Sequence, residues 1–266
     1  MIATDAHEGP VYVPGEHALY FTTSRPPVAI RRLNLTAGEL TTVRADANNA
    51  NGMTLGHDGR LIVCEQGAHT EPARITAIDP HTGARETLID HWHGRPLNSP
   101  NDVVVARDGS IWFTDPSYGH RQGFRPRPEL GDRVYRFDPR TRELWSVADG
   151  LDKPNGLAFS PDETVLYIGD NGAPHRLLAF AVRGGFLADP QPFAELSPEH
   201  PDGVKADAHG RVYATTAGGI RIFAPDGRTL SEIDLPGAVN FALTSDALFI
   251  TADQGIWTAG LDISGA

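Results

Sequence analysis

The sequence predicts an all-β chain folded as a six-bladed β-propeller, and three observations carry that prediction. Short alternating apolar segments dominate, helical periodicity is hard to find, and glycine and proline are spread evenly along all 266 residues. A two-strand unit headed by a polar residue also recurs at a near-constant interval. The expected architecture is one domain over residues 1–266, with a metal site at one end of the central channel.

The strands come first. The segments "LIVCE", "VVVARDGSIWFTD", "VYRFD", "TVLYIGD", "LLAFAV", "RVYATT", "IRIFAPDG" and "ALFITAD" are apolar runs bounded by turn residues. Asp58-Gly59, Asp108-Gly109, Asp226-Gly227 and His209-Gly210 separate such runs and mark hairpins, because these residues tolerate positive φ.

The repeat appears when the hairpins are overlaid. "ANGMTLGHDGRLIV", "PNDVVVARDGSIWF", "PNGLAFSPDETVLY" and "PDGVKADAHGRVYA" share one order: a polar head, Gly or Asp, an apolar strand, a turn and a second apolar strand. The heads are Asn51, Asn101, Asn155 and Asp202, and each lies ten residues before Leu61, Ile111, Val165 or Val212. A further copy, "EGPVYVPGEHALYF", is headed by Glu8, and a degraded one, "GAVNFALTSDALFI", by Val239 or Asn240. Six copies at intervals of roughly 40 to 55 residues match one four-stranded blade each. The longest polar insertion, "YGHRQGFRPRPELGDR", is expected to be a loop over one face.

Composition removes several function classes. The net charge is -11 and the only lysines are Lys153 and Lys205, so no basic stripe exists to neutralise a nucleic-acid backbone. Cys64 is the only cysteine, which excludes an intrachain disulfide and a Cys-cluster zinc site. The start "MIATDAHEGP" lacks a basic-then-apolar leader pattern, and no apolar run reaches the ~18 residues of a membrane span. A cytoplasmic protein, monomer or small homo-oligomer, is the expectation, without nucleic-acid or membrane partners. Neither a Gly-x-Ser-x-Gly elbow nor a His-Glu-x-x-His or P-loop pattern is present. "HWHG", His91 to Gly94, reads as a surface loop, and Asp170 as a turn residue. Trp112, Phe113, Trp145, Phe159 and Tyr167 read as blade packing.

Rotation about a propeller axis brings equivalent side chains to similar height, so the heads should converge. Glu8, Asn51, Asn101, Asn155 and Asp202 are all oxygen donors, two of them carboxylates. Such hard ligands suit Ca²⁺ or Mg²⁺, and a wide channel favours the larger, geometrically tolerant Ca²⁺. For any single Asn or Asp an ordinary turn role is equally good. Jointly that reading weakens, because Pro100, Pro154 and Pro201 each precede a head and fix φ where its side chain is aimed.

"EGPVY", "LNSPNDVVVARDGSIWFTDPSYG", "KPNGLAFSPDETVLYIGD" and "HPDGVKADAHGRVYAT" resemble the gluconolactonase branch of the SMP-30/gluconolactonase/LRE-like family of six-bladed propellers. The resemblance implies a divalent metal site, most often Ca²⁺ with Mg²⁺, Mn²⁺ or Zn²⁺ as alternatives, and hydrolysis of a small-molecule lactone. Its metal glutamate falls on Glu8, its metal asparagine on Asn155 and its metal aspartate on Asp202. Asn101 matches a position that ligates the ion or contacts substrate. Where family members tend to read "CEHG", this chain reads "CEQG", so Gln66 replaces a histidine. Asp202 is the expected general base, able to ligate through one oxygen and take a proton on the other. Asn101, Asn51, Tyr118 and Gln66 are expected substrate contacts, with Arg121 and Arg125 added from the insertion. The competing functions are an organophosphate or hydrophobic-lactone hydrolase on the same scaffold, and a non-catalytic Ca²⁺-binding propeller.

Overall fold

A computed structural model describes residues 1–173 and 175–261. The Asp-Gly and His-Gly turns form as expected, with Gly59, Gly109, Gly210 and Gly227 all at φ near +80°. Among the described residues the strands pair into six four-stranded antiparallel sheets, five of them running outward in chain order. Five blades occupy 6–44, 50–89, 103–149, 154–195 and 204–234. The sixth takes Ala238–Leu243, Ala247–Ala252 and Gly255–Gly260, and Ile2–Ala3 from the opposite end of the chain adds its outermost strand. Ile2 pairs with Ile256 and Ala3 with Gly255, which fastens the ring. Closure therefore rests on the C-terminal segment for three strands and on only two residues of the N-terminal one.

The core is divided among the blade interfaces. Tyr20, Ile30 and Val63 pack between the first and second blades, Cys64, Phe113 and Tyr135 between the second and third, and Trp112, Leu166 and Phe180 between the third and fourth. Phe223, Phe241 and Phe21 belong to the clusters that continue round to the first blade. Each middle strand is thus covered on both faces. "LIVCE" and "IWFTD" are accordingly buried along their whole length, whereas the outer strand Thr229–Asp234 faces solvent. Burying each such aromatic contributes about 2 to 3 kcal/mol. Trp112 meets Phe159 edge to face at 5.4 Å, and Trp145 lies under Arg136, as blade packing requires. His91–Trp92 forms a small exposed hairpin with Arg95–Pro96, so "HWHG" is a surface feature. Asp170 accepts N–H bonds from Asp152 and Gly172, the expected turn role.

The position after each head explains the recurring glycine. The Gly52 N–H donates to the carbonyl of Asn101 at 2.8 Å, Gly156 to Asp202, and Gly203 to Val239. One blade's glycine therefore touches the next blade's head, and this bond identifies Val239, not Asn240, as the sixth head. A Cβ on Gly52 would lie 2.5 Å from the Asn101 oxygen. Gly52→Ala is expected to lower stability by about 1 to 3 kcal/mol through overpacking against backbone, read from urea denaturation midpoints.

Candidate active site

The inner strands of neighbouring blades touch around the axis, so the heads meet at one end of the channel. Five of them, Glu8, Asn51, Asn101, Asn155 and Asp202, line a cavity of about 480 Å³, together with residues of the surrounding loops. Glu8, Asn51, Gln66, Asn101, Tyr118, Asn155 and Asp202 all face it, which brings together every sequence-expected site residue except Arg121 and Arg125. Arg121 is exposed at the end of the short helix Tyr118–Arg121 and does not line the cavity.

Arg125 has a different role from the one expected of it. Its buried guanidinium donates to the carbonyls of Asn98, Ala68, Glu71 and Leu97 at 2.9 to 3.1 Å. It straps the insertion onto two blades, with four of its five N–H donors committed to backbone carbonyls. Gly119 is required beneath it, since a Cβ there would collide with the Arg125 stem. With the strap in place, Gln122 and Phe124 of the insertion form one side of the cavity.

Local structure aims Asn101. Backbone N–H groups of Asn98 and Ser99 donate to the two Asp115 oxygens at 2.9 Å, and the Asn101 N–H donates to Thr114 O at 2.9 Å. Pro100 needs no partner in this turn. The Asn101 amide oxygen is then buried without any hydrogen-bond donor, as is that of Asn51. With that of Asn171, three unsatisfied amide oxygens belong to residues lining this cavity, where a cation or a ligand donor would satisfy them.

The carboxylates are equally unusual. Glu8 is 3% exposed and accepts from Gly9 N–H and the Asn240 amide, both at 2.8 Å and both on Oε2. Burial, and next the charge of Asp102, push its carboxyl above the ordinary range. Burial pushes Asp202 well above it, with Glu8 and Asp102 adding to the effect and the Asn155 amide opposing it. No Lys or Arg is ion-paired with either among the described residues. Tyr118 accepts from the Asn171 amide at 2.5 Å and the Asn155 amide at 3.4 Å, and donates to Lys153 O at 3.3 Å. Burial and the nearby Asp202 keep this phenol protonated.

Among the described residues no group of three or more His, Cys, Asp or Glu side chains is arranged to hold a metal. The donor set here is instead two carboxylates supplemented by amides. Buried carboxylates without a cation beside orphaned amide oxygens fit a hard divalent ion, which would satisfy both deficits together.

These shifts fix a pH dependence for the metal-free protein. With raised values, folded Glu8 and Asp202 hold protons that the unfolded chain has released, so their contribution is complete below the ordinary carboxylate range and is lost as pH rises. Chelator-treated protein is expected to be less stable at about pH 8 than at about pH 5.5, with the slope flattened in Asp202→Asn, as read from denaturation midpoints.

Sequence reasoning missed Asn171, Asp102 and Lys205, and offered Asn240 only as a possible sixth head. Asn240 holds Glu8 across the ring closure from the sixth blade. Asn171 sits after the strand Val165–Asp170, outside the repeat that identified the heads. Asp102 was visible in "PND" as the residue in the glycine position, and nothing in the sequence indicated that Lys205 would reach it.

Residues 6–254 match the family model described as SMP-30/Gluconolactonase/LRE-like region. A gluconolactonase of Zymomonas mobilis is 32% identical over 96% of this chain and 79% of its own length. The structure of a Xanthomonas campestris protein described as a gluconolactonase superposes with a TM-score of 0.87 at 35% identity, covering 97% of this chain and 86% of that one. A calcium-binding protein, regucalcin, from Agrobacterium tumefaciens shares the fold at TM-score 0.76 and 18% identity, over 94% of this chain and 82% of its own. The chain belongs to the SMP-30/gluconolactonase/LRE-like family.

Proposed function

We propose that the protein hydrolyses a sugar-type lactone in this cavity, with a divalent cation, Ca²⁺ foremost, held by Glu8, Asn155 and Asp202. The observation that carries the reading is the pairing of two buried, cation-free carboxylates with unsatisfied amide oxygens inside a cavity large enough for one sugar ring. Relatives named gluconolactonase support the reaction class. When bound, the cation supplies Lewis acidity to a lactone carbonyl and balances the charge that develops on its oxygen.

The chain's own groups do the rest. Asp202 takes the proton from the attacking water. Glu8 is fixed on one oxygen by Gly9 and Asn240, which leaves the other for the cation. Asn51 and Asn101 carry the free amide oxygens, and Tyr118 the hydroxyl, that suit substrate hydroxyls; Asn101 is equally suited to ligating the cation. Gln66 adds a neutral amide to the lining. Of the residues lining the cavity only Pro26, Val28, Ala50 and Phe124 are apolar. That polarity favours a sugar lactone over a hydrophobic lactone or an organophosphate.

The test is a pH-indicator hydrolysis screen over aldonolactones, hydrophobic lactones and organophosphates, with chelator and with added Ca²⁺, Mg²⁺, Mn²⁺ or Zn²⁺. Turnover of an aldonolactone that chelator abolishes and a divalent ion restores is expected. Ion binding without turnover of any substrate would instead make this a non-catalytic Ca²⁺-binding propeller.

A further inference from the structure

A third buried carboxylate, Asp102, follows the Asn101 head directly, outside the cavity lining. Asp102 stands where the first, second, fourth and fifth blades have Gly9, Gly52, Gly156 and Gly203. It is 2% exposed, and its charge raises the proton affinity of both Glu8 and Asp202. Its Oδ1 accepts from Val103 N–H at 2.9 Å, while its Oδ2 receives the Lys205 ammonium at 3.4 Å. That ammonium comes from the inner strand Val204–Ala206 of the fifth blade, two blades away, so the pair spans the channel. Lys205 is one of two lysines in the chain, and the other, Lys153, is occupied by Asp132 and Asp152.

A propeller does not need this pair for its ring, since four other blades manage with glycine at the same position. Counting charge gives it a purpose. Glu8, Asp102 and Asp202 carry three negative charges when ionised, and the Lys205 ammonium reduces the set to two. We propose that Lys205 is a positioning residue that holds the channel at a net charge of minus two, so that the site is matched to a divalent rather than a trivalent cation. The inference rests on the divalent-metal reading above. It extends that reading to residues that do not themselves ligate the ion.

Because electrostatic work scales with the charge of the ion, changing the site by one unit shifts trivalent binding more than divalent binding. The experiment measures Ca²⁺ and Tb³⁺ affinities by calorimetry at one pH and low ionic strength. The proteins are wild type, Lys205→Met, Asp102→Asn and the double variant, each checked for its fold by near-UV circular dichroism. Lys205→Met is expected to raise the Tb³⁺ to Ca²⁺ affinity ratio roughly tenfold, and Asp102→Asn to lower it by a similar factor. The double variant has lost the ion pair but regained the charge count, so its ratio should return to within about threefold of wild type. If Lys205→Met does not fold, Asp102→Asn and the double variant carry the same comparison.

A double variant displaced as far as a single one would make the pair a mechanical cross-link and overturn the proposal, as would unchanged ratios in both single variants. Wild-type protein that binds neither ion would overturn the metal reading itself, and this inference with it.

Discussion

Glu8→Gln is expected to abolish the thermal stabilisation given by added Ca²⁺ and to reduce lactone turnover by more than roughly a hundredfold. The substitution is nearly silent for the fold. One side-chain oxygen remains to accept from Gly9 N–H and the Asn240 amide, the two bonds that fix Glu8 at the ring closure. What changes is the face toward the cavity, where an amide NH₂ replaces an oxygen and presents donors to a cation. The variant also removes one of the buried charges that no Lys or Arg neutralises, so the metal-free protein should be at least as stable as wild type. The check is differential scanning fluorimetry with chelator and with Ca²⁺, set beside the hydrolysis assay. A variant that keeps its Ca²⁺-dependent shift would remove Glu8 from the ligand set.

Asp202→Asn separates binding from chemistry. An asparagine oxygen still ligates a hard cation, so the Ca²⁺-dependent stabilisation should weaken but persist. It cannot accept a proton, and kcat is expected to fall by roughly 10² to 10⁴ with a smaller change in KM. Backbone bonds at this residue, to Thr215 O and from Gly156 N–H, do not involve the side chain, and the blade should retain its stability. Full turnover in an Asp202→Asn protein that binds metal would assign the base elsewhere.

Much of the fold was legible because a propeller repeats its own grammar. The turn dipeptides, the ten-residue spacing from head to second strand and the prolines before three heads are local in sequence, and local chemistry sets them. The heads were legible for the same reason: rotation by blade converts a repeated position into a shared location. Residues outside the repeat were not. Arg121 and Arg125 are four apart in one polar loop and look interchangeable on paper. Only the packed insertion buries Arg125 against four carbonyls and leaves Arg121 in solvent.

The stretch "LNSPNDVVV" shows where the division falls. By itself the sequence determined that Asn101 opens a blade, that Pro100 fixes the approach, and that its neighbours at equivalent positions carry oxygen. Tertiary structure decided that Asp115 takes the Asn98 and Ser99 N–H groups, leaving the Asn101 oxygen without a partner. It also decided that Asp102 is answered by Lys205 from two blades away. The physical reason is distance along the chain. Turn chemistry and strand period act over a few residues, whereas satisfaction of a buried oxygen or charge depends on groups 103 residues away for Asp102 and Lys205 and 232 for Glu8 and Asn240, which meet only when the ring closes.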